Sequence, residues 1–451
     1  MPTLMVSISG IRGIVGDGLD PETIVKYTNA YADFVGKGKI VIGRDARITG
    51  EMVLNIVTGT LLAKGFDVID LGICPTPTVQ FNVAKLNADG GIVITASHNP
   101  NEWNALKLLN KTGQFMSPEE HKKMISKISG GKNDFVNWEK IGKRTYYKEG
   151  IQNHLNSILK LKYVDVDLIK SKKFRIVLDC VNGAGSYLLP DFLRELGCEV
   201  IELNCEKTGI FPRLPEPIPE NLVETMKKVK EEKAEMGIVV DPDVDRLVLI
   251  TDKGEPFIEE NTITQIVKFI LSKEKGNVVV NLSTTRAVDD MAAVFGCKVF
   301  RSPVGEANVV EEMKKVNAVI GGEGSGGVIY PALHYGRDAL VGIILTLQHL
   351  SEFAKSISKL KEELPQYFIT KMKIEIGNNN PDEVISKLLL KFKSEKSDTR
   401  DGLRVDFADH WVHFRKSNTE PIIRIITEAK SEEKSKILAI DYFKIVKDLL
   451  V

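Results

Sequence analysis

The sequence predicts an α/β protein: three similar α/β domains with mixed sheets, then a smaller α+β C-terminal domain. Three features of the chain point there. A strand–helix–Gly–strand plan occurs three times. Each copy is followed by a helix and an apolar run ending in a polar loop. From about Leu364 the plan gives way to short alternating runs.

The first copy runs from Lys39-Ile40-Val41-Ile42-Gly43 through a helical stretch at Leu54–Ala63 to Gly65-Phe66-Asp67-Val68-Ile69-Asp70. The second runs from Phe174–Asp179 through a helix ending near Leu196 to Gly197–Glu202. The third runs from Asn277–Asn281 through a helix near Met291–Phe295 to Gly296–Phe300. Each reads as a βαβ unit whose glycine ends the helix. The polar loops that follow are the segment around Ser97, the acidic run Asp241–Arg246 and the glycine-rich run Gly321–Gly327. Ligands of such sheets gather at strand ends, so a shared cleft would bring the three loops together. In the last part, Lys371–Ile376, Gly402–Phe407, Trp411–Arg415 and Ile422–Ile426 read as antiparallel strands. Helices are expected near Pro381–Phe392 and Glu432–Leu450, and Lys355–Glu363 is a charged helix at the domain boundary.

A chain of 451 residues exceeds one domain. Its 61 acidic and 61 basic residues leave no net field to draw nucleic acid or an anionic membrane. No apolar run is long enough to span a bilayer, and Met1–Val6 has no signal-peptide pattern. The five cysteines form no C-x-x-C pair and sit mostly beside apolar runs, which predicts free thiols and a cytoplasmic protein. Abundant lysine and glutamate with scarce glutamine hint at a thermophilic source.

Thr95-Ala96-Ser97-His98-Asn99-Pro100 follows the apolar run Gly91–Ile94. A serine at a strand end beside a histidine is a candidate nucleophile; an ordinary Ser-Asn-Pro turn is the alternative. Asp241-Pro242-Asp243-Val244-Asp245-Arg246 lies between two strand runs. Crowded carboxylates raise one another's pKa. A hard divalent cation relieves them, and oxygen donors select Mg²⁺ or Ca²⁺ over zinc. A solvated acidic turn is the alternative here; the loop is too short for an EF-hand. Arg415-Lys416-Ser417-Asn418-Thr419-Glu420-Pro421, with Arg424 beyond, combines guanidinium forks and turn donors suited to a phosphate. A hairpin turn with surface charge would look the same.

Together with Gly10-Ile11-Arg12-Gly13, these motifs resemble, in order and over the whole chain, the α-D-phosphohexomutase family. That family includes phosphoglucomutase/phosphomannomutase and phosphoglucosamine mutase. The resemblance implies four domains around a central cleft, expected here at 1–150, 151–253, 254–363 and 364–451. It implies that Ser97 carries a phosphoryl group, and that Asp241, Asp243 and Asp245 hold Mg²⁺ with a phosphoserine oxygen. It implies that Arg246 helps orient substrate and that Glu323 and Ser325 bond sugar hydroxyls. Arg415, Ser417, Asn418, Thr419 and Arg424 would hold the non-reacting phosphate. Lys107 would transfer protons, and Arg12 and His98 match active-site positions of the first domain. The implied reaction moves a phosphoryl group between the 1- and 6-positions of a hexose phosphate, with a hexose 1,6-bisphosphate as intermediate and activator. A monomer or homodimer acting on small molecules is expected, without nucleic acid or membrane partners.

The chain departs from the family pattern at Pro242 and Val244, and at Gly327, where a histidine is common; His334 is nearby but does not match. Contacts to the 3- and 4-hydroxyls do not separate glucose from mannose, which favours both as substrates, with glucosamine phosphate the close alternative. Three rivals remain: a sugar phosphatase, a non-catalytic sugar-phosphate binder, and a dinucleotide enzyme. The last is suggested by Asn182-Gly183-Ala184-Gly185 with Glu202, but Leu188 stands where the third glycine belongs.

Overall fold

Three sheets repeat one four-strand unit, in which a central strand has a parallel neighbour on each side and the third strand folds back into an antiparallel fourth. The computed structural model describes residues 3–130, 134–416 and 421–450, apart from the side chains of 129 and 130. In the first sheet the unit is Asp67–Ile73, Lys39–Arg44, Gly90–Ile94 and Trp103–Leu109, extended by Gly10–Val15, Met5–Ser7, Gly18–Leu19 and Arg144–Tyr146. In the second it is Glu199–Leu203, Arg175–Asp179, Met236–Val240 and Leu247–Thr251. In the third it is Val299–Ser302, Asn277–Asn281, Ala318–Glu323 and Gly327–Ile329. The hairpin between third and fourth strands is, in every copy, the loop with unusual chemistry.

The copies agree in detail. Gly65, Gly197 and Gly296 each follow the first helix of their unit with φ of +80°, +78° and +68°. That left-handed turn suits glycine and ends the helix where the parallel strand must begin. The fourth sheet is different. Its strands Phe368–Glu375, Ile422–Ala429, His410–Lys416, Leu403–Asp406 and Lys396–Asp398 are all antiparallel. Helices Pro381–Lys391 and Glu432–Leu449 cover one side of it.

The second and third sheets share one core, running from Leu155 to Leu364. Its pillar is helix Ala339–Phe353, apolar on nearly every side and buried from Ala339 to Ser351, as a helix without a wet face must be. Asp338 caps it, accepting hydrogen bonds from the N–H groups of Leu340 (2.9 Å) and Val341 (3.3 Å). The same carboxylate meets His154 Nε2 at 2.9 Å and His334 Nε2 at 3.0 Å, while His154 Nδ1 meets the Thr78 hydroxyl at 3.0 Å. This chain of contacts pins the first sheet's helix Thr76–Lys85 to the start of the pillar. No helix is long and apolar enough to cross a membrane among the described residues.

Further along the pillar, His349 lies against Gln265, with Nδ1 2.8 Å from Oε1. Burial, then the charge of Lys268, pushes its pKa down to about 4. The unfolded chain therefore takes the proton first. Stability is full above about pH 6.5 and falls as pH drops toward 4, by on the order of 3 kcal/mol from this residue. Urea unfolding across that window is expected to show the loss, and His349→Gln to remove its share.

Candidate active site

Ser97 is held in a strained loop by a buried arginine. The Ser97 backbone is left-handed, with φ +50°, a conformation a non-glycine residue keeps only when its surroundings impose it. They do so here through Arg47, which is fully buried. Its Nη2 donates to the carbonyls of Ser97 and Asn99, both at 2.6 Å, and its Nη1 to those of Pro100 and Trp103 at 2.5 and 3.0 Å. Its Nε donates to Asp45 Oδ2 at 3.0 Å, and the Thr95 hydroxyl donates to the same oxygen at 2.6 Å. Nothing of this fork is left for solvent. The loop's one useful hydroxyl is thereby aimed at the second sheet: Ser97 Oγ donates to Asp241 Oδ2 at 2.9 Å.

The three aspartates are fully buried, with carboxylate oxygens within 4.8 Å of one another. Asp241 Oδ1 accepts the N–H groups of Asp245 and Arg246, both at 3.1 Å. Asp243 Oδ2 takes Lys107 Nζ at 2.7 Å and the Thr76 hydroxyl. Asp245 Oδ2 takes Arg337 Nη2 at 2.7 Å and Lys107 Nζ at 3.3 Å. Burial pushes the Asp241 carboxyl well above the ordinary range, and Asp245 and Asp243 push it further. Burial acts the same way on Asp245, but Arg337, Lys107 and Arg246 outweigh it and hold that carboxyl below the ordinary range. The Oδ1 atoms of Asp243 and Asp245 are buried without a hydrogen bond. Two orphaned oxygens in an all-oxygen cluster fit a hard divalent cation such as Mg²⁺. Val244 sits between these aspartates at φ +59° with its side chain fully buried. A β-branched residue there is a second strained point, and strain of this kind costs roughly 1–3 kcal/mol.

Lys107 arrives on the strand antiparallel to Gly90–Ile94, paired with Val93. Burial works against its charge, but Asp243 and Asp245 hold its pKa above the ordinary lysine value. His98 Nδ1 lies 3.3 Å from Ser97 Oγ. Burial, then the charges of Arg246 and Arg12, drive that imidazole well below the usual histidine range, so it is neutral. Arg12 is half-buried and donates to Asn99 Oδ1. Arg246 Nε stands 3.9 Å from Asp245 Oδ1. These groups therefore do converge on Ser97 and the acidic loop.

Glu323 ends the third strand of the third sheet. Its Oε1 accepts from Asn281 Nδ2 (2.8 Å) and the Gly305 N–H (2.9 Å), and its Oε2 from Arg337 Nη1 (2.8 Å). Ser325 is half-buried in the turn beyond. Arg415 and Arg424 lie directly opposite one another on neighbouring strands, and Lys373 lies opposite Arg424 on the other side. Like charges in register repel, and an anion relieves them. Arg415 Nε donates to Asp401 Oδ2 at 2.9 Å, and the Val304 N–H donates to the same oxygen at 3.0 Å. One peptide further on is the Gly305 N–H that holds Glu323, so the arginine end is tied to the Glu323 turn. Ser417, Asn418 and Thr419 lie outside the described residues.

Comparison with known proteins finds the same four domains in one family. Phosphoglucomutase/phosphomannomutase alpha/beta/alpha domains I, II and III match residues 5–134, 152–254 and 260–368, and the C-terminal domain matches 375–441. The chain belongs to the phosphoglucomutase/phosphomannomutase family. A phosphoglucomutase/phosphomannomutase of Thermococcus kodakarensis is 39% identical over 95% of each chain. A protein of Methanopyrus kandleri named probable phosphoglucosamine mutase is 35% identical over 97% of each. A crystal structure of a family member from Burkholderia thailandensis, 26% identical, superposes with a TM-score of 0.85 over 98% of both chains.

Within this family member three residues of the site escape motif reading: Arg47, Thr76 and Arg337. Arg47 alone had a local signal, since Asp45-Ala46-Arg47 follows a strand end as the other site loops do. The Asn182–Gly185 segment, which mimics a dinucleotide fingerprint, has another purpose. The Ala184 N–H donates to the Pro242 carbonyl at 2.8 Å, so it is not offered to a cofactor. A Cβ on Gly183 would lie 2.6 Å from Pro242 Cα. Gly183→Ala is therefore expected to push the acidic loop aside, costing about 1–3 kcal/mol of stability. A fall in activity of roughly tenfold or more should accompany it, and thermal melts with a coupled turnover assay would register both.

Proposed function

We propose that this protein interconverts hexose 1-phosphates and 6-phosphates through a phosphoserine at Ser97 and a bisphosphorylated sugar. The observation carrying this is the Ser97 hydroxyl 2.9 Å from Asp241, the first residue of a buried all-oxygen cluster. In the forward step the P–Oγ bond of phosphoserine breaks and a P–O bond to the sugar's free hydroxyl forms. The hydroxyl proton leaves to a base and the serine oxygen receives one. Lys107, 2.7 Å from Asp243, is the proposed acid/base: its ammonium gives a proton to the departing serine oxygen, and the amine so formed takes the proton of the attacking hydroxyl. Neutral His98, with Nδ1 near Ser97 Oγ, orients that oxygen. The bisphosphate then turns end for end and returns its other phosphoryl group to Ser97. Asp241, Asp243 and Asp245 would hold Mg²⁺, which when bound neutralises charge on the transferring phosphoryl oxygens. Arg415 and Arg424, with residues 417–419, would grip the far phosphate, and Arg12 and Arg246 the reacting one. Glu323 and Ser325 would accept and donate to the 3- and 4-hydroxyls, which glucose and mannose share.

Glucose and mannose phosphates are therefore the proposed substrates. Glucosamine phosphate is a second reading, favoured by the name of the Methanopyrus relative. The free cysteines among the described residues support a cytoplasmic protein, and a monomer or homodimer is proposed. Turnover of glucose, mannose and glucosamine 1-phosphates, with a trace of the matching 1,6-bisphosphate, tests the proposal. Phosphate release without isomer formation would mean a phosphatase, and binding without either a non-catalytic protein.

A further inference from the structure

Gly327 has no side chain of its own, and the space beside it is taken by that of another residue. It is buried and pairs with Glu323 at the start of its strand. A Cβ there would lie 2.4 Å from Arg337 Cδ and 3.1 Å from Cγ. The stem of Arg337 thus passes through the volume that any larger residue at 327 would claim. At its far end the guanidinium is shared among three carboxylates. Nη1 donates to Glu323 Oε2 at 2.8 Å, Nη2 donates to Asp245 Oδ2 at 2.7 Å, and Nε faces Glu306 Oε2 at 3.3 Å. Glu306 is itself fixed from the first domain by Gln80 Nε2 at 2.8 Å. The position of Arg337 is set from behind, because Asp338 caps the pillar helix and meets two histidines.

The consequence falls on Glu323. A carboxylate offers about four acceptor sites. Asn281 and Gly305 occupy two on Oε1, and Arg337 one on Oε2. One site on Oε2 is left, beside a bound guanidinium that strengthens and orients it. Among the described residues Arg337 is the one partner of that oxygen, and it is also the tie between it and the acidic loop.

We propose that Arg337 is a positioning residue for the sugar: it straps Glu323 to Asp245, across the second and third domains, so that one oxygen of Glu323 meets a ring hydroxyl at a fixed distance from the transferring phosphoryl group. Gly327 is what makes the strap possible in this chain. The proposal rests on the mutase activity proposed above.

The test compares wild type, Arg337→Gln, Gly327→Ala and the double variant in steady-state turnover. Glucose 1-phosphate and its 3-deoxy and 4-deoxy analogues are the substrates, with thermal melts alongside. Arg337→Gln is expected to raise KM for glucose 1-phosphate about tenfold or more. It should also erase the wild-type preference over whichever deoxy analogue lacks the hydroxyl held by Glu323. Gly327→Ala should do the same by evicting the arginine stem, and the double variant should be no worse than Arg337→Gln alone. A purely structural role would instead lower the active fraction, and so kcat, with KM and the deoxy preference unchanged. That result, or additive losses in the double variant, would overturn the proposal. If Arg337→Gln does not fold, Arg337→Lys carries the same test, since an ammonium holds Glu323 or Asp245 but not both. If wild type turns over none of the hexose 1-phosphates, the mutase activity fails, and calorimetric binding of glucose 1-phosphate then decides the strap. Weaker binding by Arg337→Gln supports it; equal binding, or none by wild type, removes it.

Discussion

Replacing Ser97 by alanine is expected to lower hexose phosphate interconversion by roughly 10⁴-fold or more and to leave the fold in place. The loss is large because no other group is set to carry the phosphoryl. Among the described residues one further hydroxyl touches the acidic loop, that of Thr76, and it is fully buried with its proton spent on Asp243. The cost in stability is small for a matching reason. The left-handed backbone at 97 is imposed by Arg47 on the carbonyls around it, and those bonds do not involve the serine side chain. Alanine keeps the strain and loses one hydrogen bond to Asp241, worth about 1 kcal/mol. A coupled assay, intact-mass measurement of phosphorylation and a melting curve together check this. Activity within tenfold of wild type, or a phosphorylated alanine variant, would assign the carrier to a different residue.

The parts of this site visible in sequence are those whose chemistry is local. Three aspartates at alternating positions between apolar runs suggest a cation, and a serine at a strand end suggests a nucleophile, beside the bland readings as turns, because the needed neighbours are a few residues away. The threefold strand–helix–Gly–strand plan was visible for the same reason, down to the left-handed glycines that end the helices. Contributions made through space are silent. Thr76 reaches Asp243 across 167 positions and Lys107 reaches it across 136, and no spacing rule encodes either contact. Lys107 was read only through family resemblance, and Thr76 not at all. Gly327 shows the same limit from the other side. In sequence it is a missing histidine; in the structure it is room for Arg337, ten residues on. Gly183 likewise reads in sequence as part of a dinucleotide-like fingerprint. Its φ of −87° needs no glycine, and the close approach of Pro242 is what excludes a side chain.

Two one-atom substitutions in the acidic loop are expected to abolish the same activity while moving stability in opposite directions. Asp241→Asn and Asp245→Asn each remove a charge from the proposed cation site. Each should weaken Mg²⁺ binding in calorimetry and cut turnover by roughly 10³-fold. Without metal the two carboxylates are in opposite situations. Asp241 is pushed toward its protonated form by burial and by its two acidic neighbours. An asparagine there still accepts the N–H groups of Asp245 and Arg246, and its amide can donate to Ser97 Oγ. Removing its charge relieves repulsion, and in chelator the variant should be more stable by on the order of 1 kcal/mol. Asp245 is the partner of Arg337 and Lys107, and neutralising it leaves two buried cations short of a counter-charge. Breaking a buried pair from one side costs about 3–5 kcal/mol, so Asp245→Asn should melt well below wild type. A site held open for a cation is unstable where charge is uncompensated and stable where the protein supplies its own. Equal destabilisation by both variants in chelator would mean that the loop is an ordinary salt-bridge network rather than a seat for a metal.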